Sequence, residues 1–288
     1  MAKFWSLLLL VIVKLVSSKF TDDFREFIVL KYGEETKNRL ERNDMGRDDV
    51  SMGGKVEHCE KLEHRPVIFV HGLHRTPAYF EPYFRRLRAN RYNSSEMYGT
   101  TYGNGIRPNP LSPKFTGVKI TCDFVKQVRE FIEVVIDYTE SKVDIVAHSL
   151  GSLLARTAIL GGKCPGSDYD IGKPLTDKVH NYISVAGVNY GSSFCSIWPF
   201  NGRASCMGPI SMRCNSDAIK AVNSQEERYE GDNSFALWSW TDELLGLRCC
   251  DHYCGDLKNA NETIKYKFKS HEGIIKSSNN EVYTLLQN

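Results

Sequence analysis

The stretch Val143-Asp-Ile-Val-Ala-His-Ser-Leu-Gly-Ser-Leu-Leu154 constrains the fold more than any other part of the chain. An apolar run of strand type meets a helical run with almost nothing between them, and Ser149 stands at the junction. A serine on so abrupt a turn is forced into a strained backbone conformation, so the residues two before and two after it must be small. They are Ala147 and Gly151, one methyl group away from Gly-x-Ser-x-Gly. Such a turn aims the hydroxyl out of the carboxyl edge of a sheet, and the helix N-terminus behind it favours developing negative charge. The plain alternative is a serine that caps a helix after a strand.

The flanking pattern decides in favour of the first reading. Val67-Ile-Phe-Val70 is a short, wholly apolar run, as expected of a central parallel strand buried on both faces. Further strands are expected at Glu96–Tyr102, Tyr182–Val185, Phe235–Trp240 and Ile264–Phe268. From Cys122 to Glu140, residues Phe124, Val125, Val128, Phe131, Ile132 and Val135 share one helical face, and Val282–Leu286 reads as a closing helix. Alternating strands and helices predict an α/β fold, a mostly parallel sheet flanked by helices. No dinucleotide fingerprint or phosphate loop stands at a strand-to-helix junction, and no cofactor or metal is expected.

Pro66-Val-Ile-Phe-Val-His-Gly-Leu73 supplies a second part. Acyl transfer builds an oxyanion that fixed backbone N–H groups must meet. One donor is expected from Leu150, after the nucleophile, and the other from Leu73, after His71-Gly72. A tight turn with no such role is the alternative for His71-Gly72.

Together, the Pro-Val-Ile-Phe-Val-His-Gly strand, the Ala-His-Ser-Leu-Gly elbow and a late histidine resemble the class 2 lipases, which include small bacterial lipases and a secreted nematode group. The resemblance covers residues 64 to 288. It implies the α/β-hydrolase fold, triacylglycerol lipase or carboxylesterase activity on lipid or other ester substrates, and a Ser, Asp, His order of catalytic residues.

Three histidines lie downstream of the elbow region. His180 leads into a strand, and His252 sits inside the cysteine-rich Cys249–Cys254. His271 follows a strand and precedes the final helix, as the family pattern implies. Asp242, at the carboxyl end of the Phe235 strand, is the expected acid, with Glu243 and Asp251 as rivals. In this scheme His271 takes the Ser149 proton, Ser149 forms an acyl-enzyme, and water releases it. His74 and His148 flank the two loops and are expected to line the substrate pocket.

A long insertion, residues 191–233, carries Phe194, Ile197, Trp198, Phe200, Met207, Ile210 and Met212 among three cysteines. It reads either as a cap, with Trp198 touching acyl chains, or as a satellite core under a loop. The catalytic domain is expected from residue 65 to 288, preceded by a short helix and an irregular arm over 19–64.

Residues 1–18 have the form of a signal peptide: Lys3, an apolar run from Phe4 to Val16, then Ser17-Ser18. Lys14 interrupts the run, which is shorter than the roughly 20 residues that span a bilayer. Without these residues the formal net charge drops from +2 to zero, which gives no bulk attraction to nucleic acid. All nine cysteines follow, seven of them from Cys164 to Cys254, a disulfide pattern with one thiol left over. A zinc site at Cys249-Cys250…Cys254 with His252 is the weaker alternative. Sequons at Asn93 and Asn261 agree with a secreted, extracellular glycoprotein. An acyltransferase or thioesterase would use the same residues, and a non-catalytic binding protein could reuse the fold.

Overall fold

A computed structural model describes residues 19–105 and 118–288. The signal-peptide segment 1–18 and most of the Gly/Pro-rich loop after Tyr102 lie outside the described residues.

Helices α1 (Asp22–Tyr32) and α2 (Glu34–Glu41) open the described chain, followed by strands β1 (Ser51–Met52) and β2 (Val67–Val70). Helix α3 (Glu81–Arg88), strand β3 (Met97–Thr100), helix α4 (Cys122–Thr139), strand β4 (Val143–His148) and helix α5 (Leu150–Leu160) come next. Then follow β5 (Val179–Val185), α6 (Asp217–Asn223), β6 (Asn233–Ser239), β7 (Arg248–Cys249) and β8 (His252–Tyr253). Strand β9 (Glu262–Tyr266) and helices α7 (His271–Ser277) and α8 (Asn279–Leu285) complete it. Among the described residues the main sheet has seven strands in the order β1-β3-β2-β4-β5-β6-β9, parallel except for β1. Strands β7 and β8 form a separate antiparallel pair.

Side chains alternate between two cores because successive residues of a strand point to opposite faces. Ile68, Val70, Ile145, Ala147, Tyr182 and Trp238 join the core under α1, α4 and α5. Val67, Phe69, Val146, Ile183, Val185 and Leu237 join the core under α3, α7 and α8. This explains why the central strands are apolar throughout. Helix α5 is buried from Leu150 to Ile159, which fixes the helix behind Ser149.

The N-terminal segment carries more structure than the expected short helix and irregular arm. It contributes two helices and an antiparallel edge strand, and Phe20, Phe24 and Ile28 are buried in the core beneath α4. Phe24 packs edge-on to Tyr98, and Phe20 stacks on Phe131.

Four disulfides join Cys122 to Cys164, Cys195 to Cys206, Cys214 to Cys250 and Cys249 to Cys254, with Cys59 free and exposed. The sulfurs of Cys249, Cys250 and Cys254 are thus committed to disulfides, not to zinc. Among the described residues no helix is long and apolar enough to cross a membrane.

Asp144 is the one acid on strand β4 and is fully buried. Its Oδ1 accepts from Arg65 Nε at 2.9 Å and from the Asn181 amide at 2.9 Å, while Oδ2 has no partner. Burial pushes its pKa from 3.8 up to about 6, against the pull of Arg65. Between those values the folded chain holds a proton that the unfolded chain has lost, so this group's contribution to stability falls as pH rises through the window. The full effect is roughly 3 kcal/mol. Asp144→Asn is therefore expected to match wild type at about pH 3 and to melt progressively higher than wild type towards about pH 7. Thermal melts of both proteins across that range check this; a constant difference would contradict it.

Candidate active site

The carboxyl ends of β2, β4, β5, β6 and β9 lie side by side, with Val70 in register with Ala147, His148 with Val185, Val185 with Leu237, and Ser239 with Tyr266. The loops leaving these ends carry Gly72, Ser149, Asp242 and His271.

Ser149 has φ 54° and ψ −126°, a conformation L-residues rarely adopt, between β4 and α5. Its amide donates to Val185 O at 3.1 Å, and its carbonyl accepts from Ser152 N at 3.1 Å and Val188 N at 3.0 Å. These bonds over-determine a backbone that costs roughly 1–3 kcal/mol to hold. Gly151 is required by packing: a Cβ there would stand 2.4 Å from the carbonyl oxygens of Val70 and His71. Ala147, one methyl larger than glycine, is buried in register between Val70 and Ser184.

Gly72 brings the loop after β2 against the elbow, since a Cβ on it would lie 2.9 Å from Ser149 Cβ and 2.8 Å from His148 Nδ1. Leu73 follows, half-buried, and His74 has a left-handed backbone with φ 57°. His71, fully buried, shapes this loop. Its Nδ1 donates to Gly72 O at 2.7 Å and its Nε2 accepts from the Tyr102 amide at 3.2 Å. Burial holds its pKa down to about 4, so one neutral tautomer satisfies both bonds at ordinary pH.

Asp242 follows β6 and is 4% exposed, and His271 opens α7 and is 3% exposed. His271 Nδ1 lies 2.8 Å from Asp242 Oδ2 and 3.0 Å from Oδ1. Asp242 Oδ1 also accepts from the amides of Leu244 at 3.0 Å and Leu245 at 2.8 Å, which fixes the carboxylate's orientation. Ser270 caps α7, its hydroxyl accepting from Gly273 N at 3.0 Å. Glu243, the rival acid, accepts from the His271 backbone amide at 2.9 Å and so positions that helix end.

His148 places these loops together. Its ring lies 4.9 Å from that of His271 and 5.0 Å from that of Tyr79. It is buried, and burial, then the neighbouring His271 and Arg75, holds its pKa well below the ordinary imidazole value. An Arg75–Glu272 ion pair closes the loop after β2 onto α7. Nothing in the sequence pairs those two residues, 197 positions apart.

The other sequence candidates lie elsewhere. His180 is at the amino end of β5, bonded to Asp232 at 2.8 Å. His252 stacks on Tyr190, and Asp251 is in the exposed β7–β8 turn. Trp198 stands out to solvent, 82% exposed, in the loop closed by Cys195 and Cys206. The root of that insertion is tied to the loop after Asp242: Ser192 Oγ donates to Leu244 O at 2.6 Å and Ser193 N to Leu245 O at 2.7 Å.

The arrangement is a strained serine, a buried carboxylate–imidazole pair and a glycine loop pressed against the serine. Such a set can activate a hydroxyl and receive an oxyanion. The profile of the class 2 lipases matches residues 64–284. Comparison with curated protein sequences gave no match. Among solved structures, mature lipase BlEst2 of Bacillus licheniformis aligns with a TM-score of 0.51 at 14% identity, over 79% of this chain and 96% of that one. Lipase B of Aspergillus fumigatus aligns with a TM-score of 0.50 at 15% identity, over 74% of this chain. The alignment spans about half, 49%, of the Aspergillus chain. At these identities the likeness speaks to the fold, which is the α/β-hydrolase fold.

Proposed function

We propose, from the premise that this chain belongs to the class 2 lipase family and is a carboxylic ester hydrolase, that it cleaves acylglycerols through Ser149, His271 and Asp242. The observation that carries the residue assignment is the buried Asp242–His271 pair, bonded at 2.8 Å, with the His271 ring 4.9 Å from that of His148, the neighbour of Ser149 on the strained elbow.

Asp242 holds the proton of His271 on Nδ1 and leaves Nε2 as the base. His271 takes the Ser149 proton as Oγ attacks the ester carbonyl, and the amides of Leu73 and Leu150 receive the oxyanion. Collapse of the tetrahedral intermediate transfers the proton to the leaving alcohol and leaves an acyl-enzyme. Water, deprotonated by His271, then releases the acid and restores the serine.

His74 and His148 line the acyl side of this site in the same reading, His148 as a neutral wall. The insertion 191–233 serves as a cap: it is stapled by Cys195–Cys206 and rooted on the loop of Asp242. It exposes Ile197, Trp198 and Met207, side chains suited to an acyl chain or a lipid surface. Four disulfides support an oxidising, extracellular setting. Of the two sequons, exposed Asn261 is better placed for a glycan than half-buried Asn93.

The test is hydrolysis of p-nitrophenyl esters from short to long acyl chains by the full chain. The rate is expected to rise with chain length, and Trp198→Ala to lose more on long esters than on short ones. Turnover confined to short chains would replace the lipase reading with an esterase one. Equal losses for Trp198→Ala at all lengths would remove its acyl contact.

A further inference from the structure

Helix α2 ends at Arg42, which has φ 63° and ψ 37°. Glycine is the ordinary residue at a left-handed helix end, because a Cβ there crowds the following carbonyl oxygen. What the arginine supplies in return is a guanidinium held almost out of solvent, its side chain 11% exposed. Nε and Nη2 grip Asp44 in a fork, at 2.8 Å and 2.9 Å. Nη1 donates to two carbonyls, Thr101 O and Gly103 O, each at 2.5 Å.

Those carbonyls flank Tyr102. Its ring stacks on His71, centroids 4.1 Å apart and planes within 3°. Its hydroxyl donates to His71 O at 2.7 Å and its amide to His71 Nε2. His71 in turn binds Gly72 O, and Gly72 is pressed against Ser149. The contacts therefore run unbroken from the N-terminal arm to the loop of Leu73. Arg42 itself precedes residue 64, where the match to the family begins.

We propose that Arg42 is a positioning residue for acyl transfer: from the N-terminal arm it holds Tyr102, and through Tyr102 and His71 it sets the backbone that receives the oxyanion. This rests on the assignment of Leu73 as an oxyanion donor. Arg42 touches no substrate; it fixes a loop whose misplacement weakens stabilisation of the transition state while leaving ester binding intact.

The experiment uses the full chain and p-nitrophenyl butyrate, a short ester that reduces any contribution from the cap. Arg42→Ala is expected to lower kcat about tenfold with KM within about twofold. Millimolar guanidinium ion should restore part of the loss, and labelling by a fluorophosphonate should slow in parallel. Tyr102→Phe keeps the stacked ring and removes the bond to His71 O. Combined with Arg42→Ala it should cost less than the product of the two separate losses, because both act on one chain of contacts. Arg42→Gly keeps the left-handed backbone without its strain and is the second variant should Arg42→Ala misfold; its expected kcat loss is the same. Wild-type kcat in the folded variants, a loss confined to KM, independent losses in the double variant, or destabilisation with no guanidinium rescue would each overturn the proposal. A wild-type chain inert on every ester would instead bring down the hydrolase reading on which it rests.

Discussion

Ser149→Ala is expected to lower ester turnover by about 10⁶-fold, with what remains coming from binding and the oxyanion donors. A second variant separates chemistry from architecture. Ser149 holds φ 54° and ψ −126°, a conformation that glycine adopts without steric penalty. Ser149→Gly should be as inactive as Ser149→Ala and yet melt higher than wild type. The released strain, roughly 1–3 kcal/mol, exceeds the roughly 0.5–1 kcal/mol of extra unfolded-state freedom that glycine brings. A net gain near 1 kcal/mol corresponds to a rise of about 2 °C in a chain of this size. Dead and more stable is the signature of a residue kept for reaction and not for folding. More than a tenth of wild-type turnover in Ser149→Ala would place the nucleophile elsewhere. A lower melting temperature in Ser149→Gly would mean that the serine side chain has a structural role its backbone bonds do not reveal.

The parts of this site that were legible in the sequence are those fixed by short-range constraint. The turn at Ser149 demands Gly151, the approach of the β2 loop demands Gly72, and both demands are written in single residues. Apolar runs located β2, β4 and β6 because each is buried on both faces. Asp242 and His271 were readable as strand-end positions, since the parallel sheet brings strand ends to one edge whatever the loops do. Cysteine pairing was not readable, because spacing leaves many connectivities open. Long-range polar contacts were equally hidden. Arg42 meets Thr101 and Gly103 from 59 and 61 residues away, and nothing in a polar arm's composition predicts which carbonyls its arginine will find. Past the short helix expected at its start, the arm reads as irregular because its apolar residues are diluted by charge; α2 and β1 form there all the same, with Leu40, Val50 and Met52 buried.

Asp242→Asn is expected to cost about 10⁴-fold in kcat/KM, through a mechanism the surrounding bonds dictate. Asp242 Oδ1 is claimed by the amides of Leu244 and Leu245, at 3.0 Å and 2.8 Å. An asparagine must keep its carbonyl oxygen on those donors, which places its NH₂ where Oδ2 stood, 2.8 Å from His271 Nδ1. Facing a donor, Nδ1 becomes an acceptor, the ring proton moves to Nε2, and the imidazole can no longer take a proton from Ser149. The fold should hardly notice, because every backbone bond to the side chain survives. The expected result is therefore a near-normal melting temperature, a collapsed kcat/KM, and fluorophosphonate labelling slowed in proportion. A loss under tenfold in a folded variant would reopen the choice of acid. Glu243, already bonded to the His271 backbone at 2.9 Å, would then be the next residue to replace.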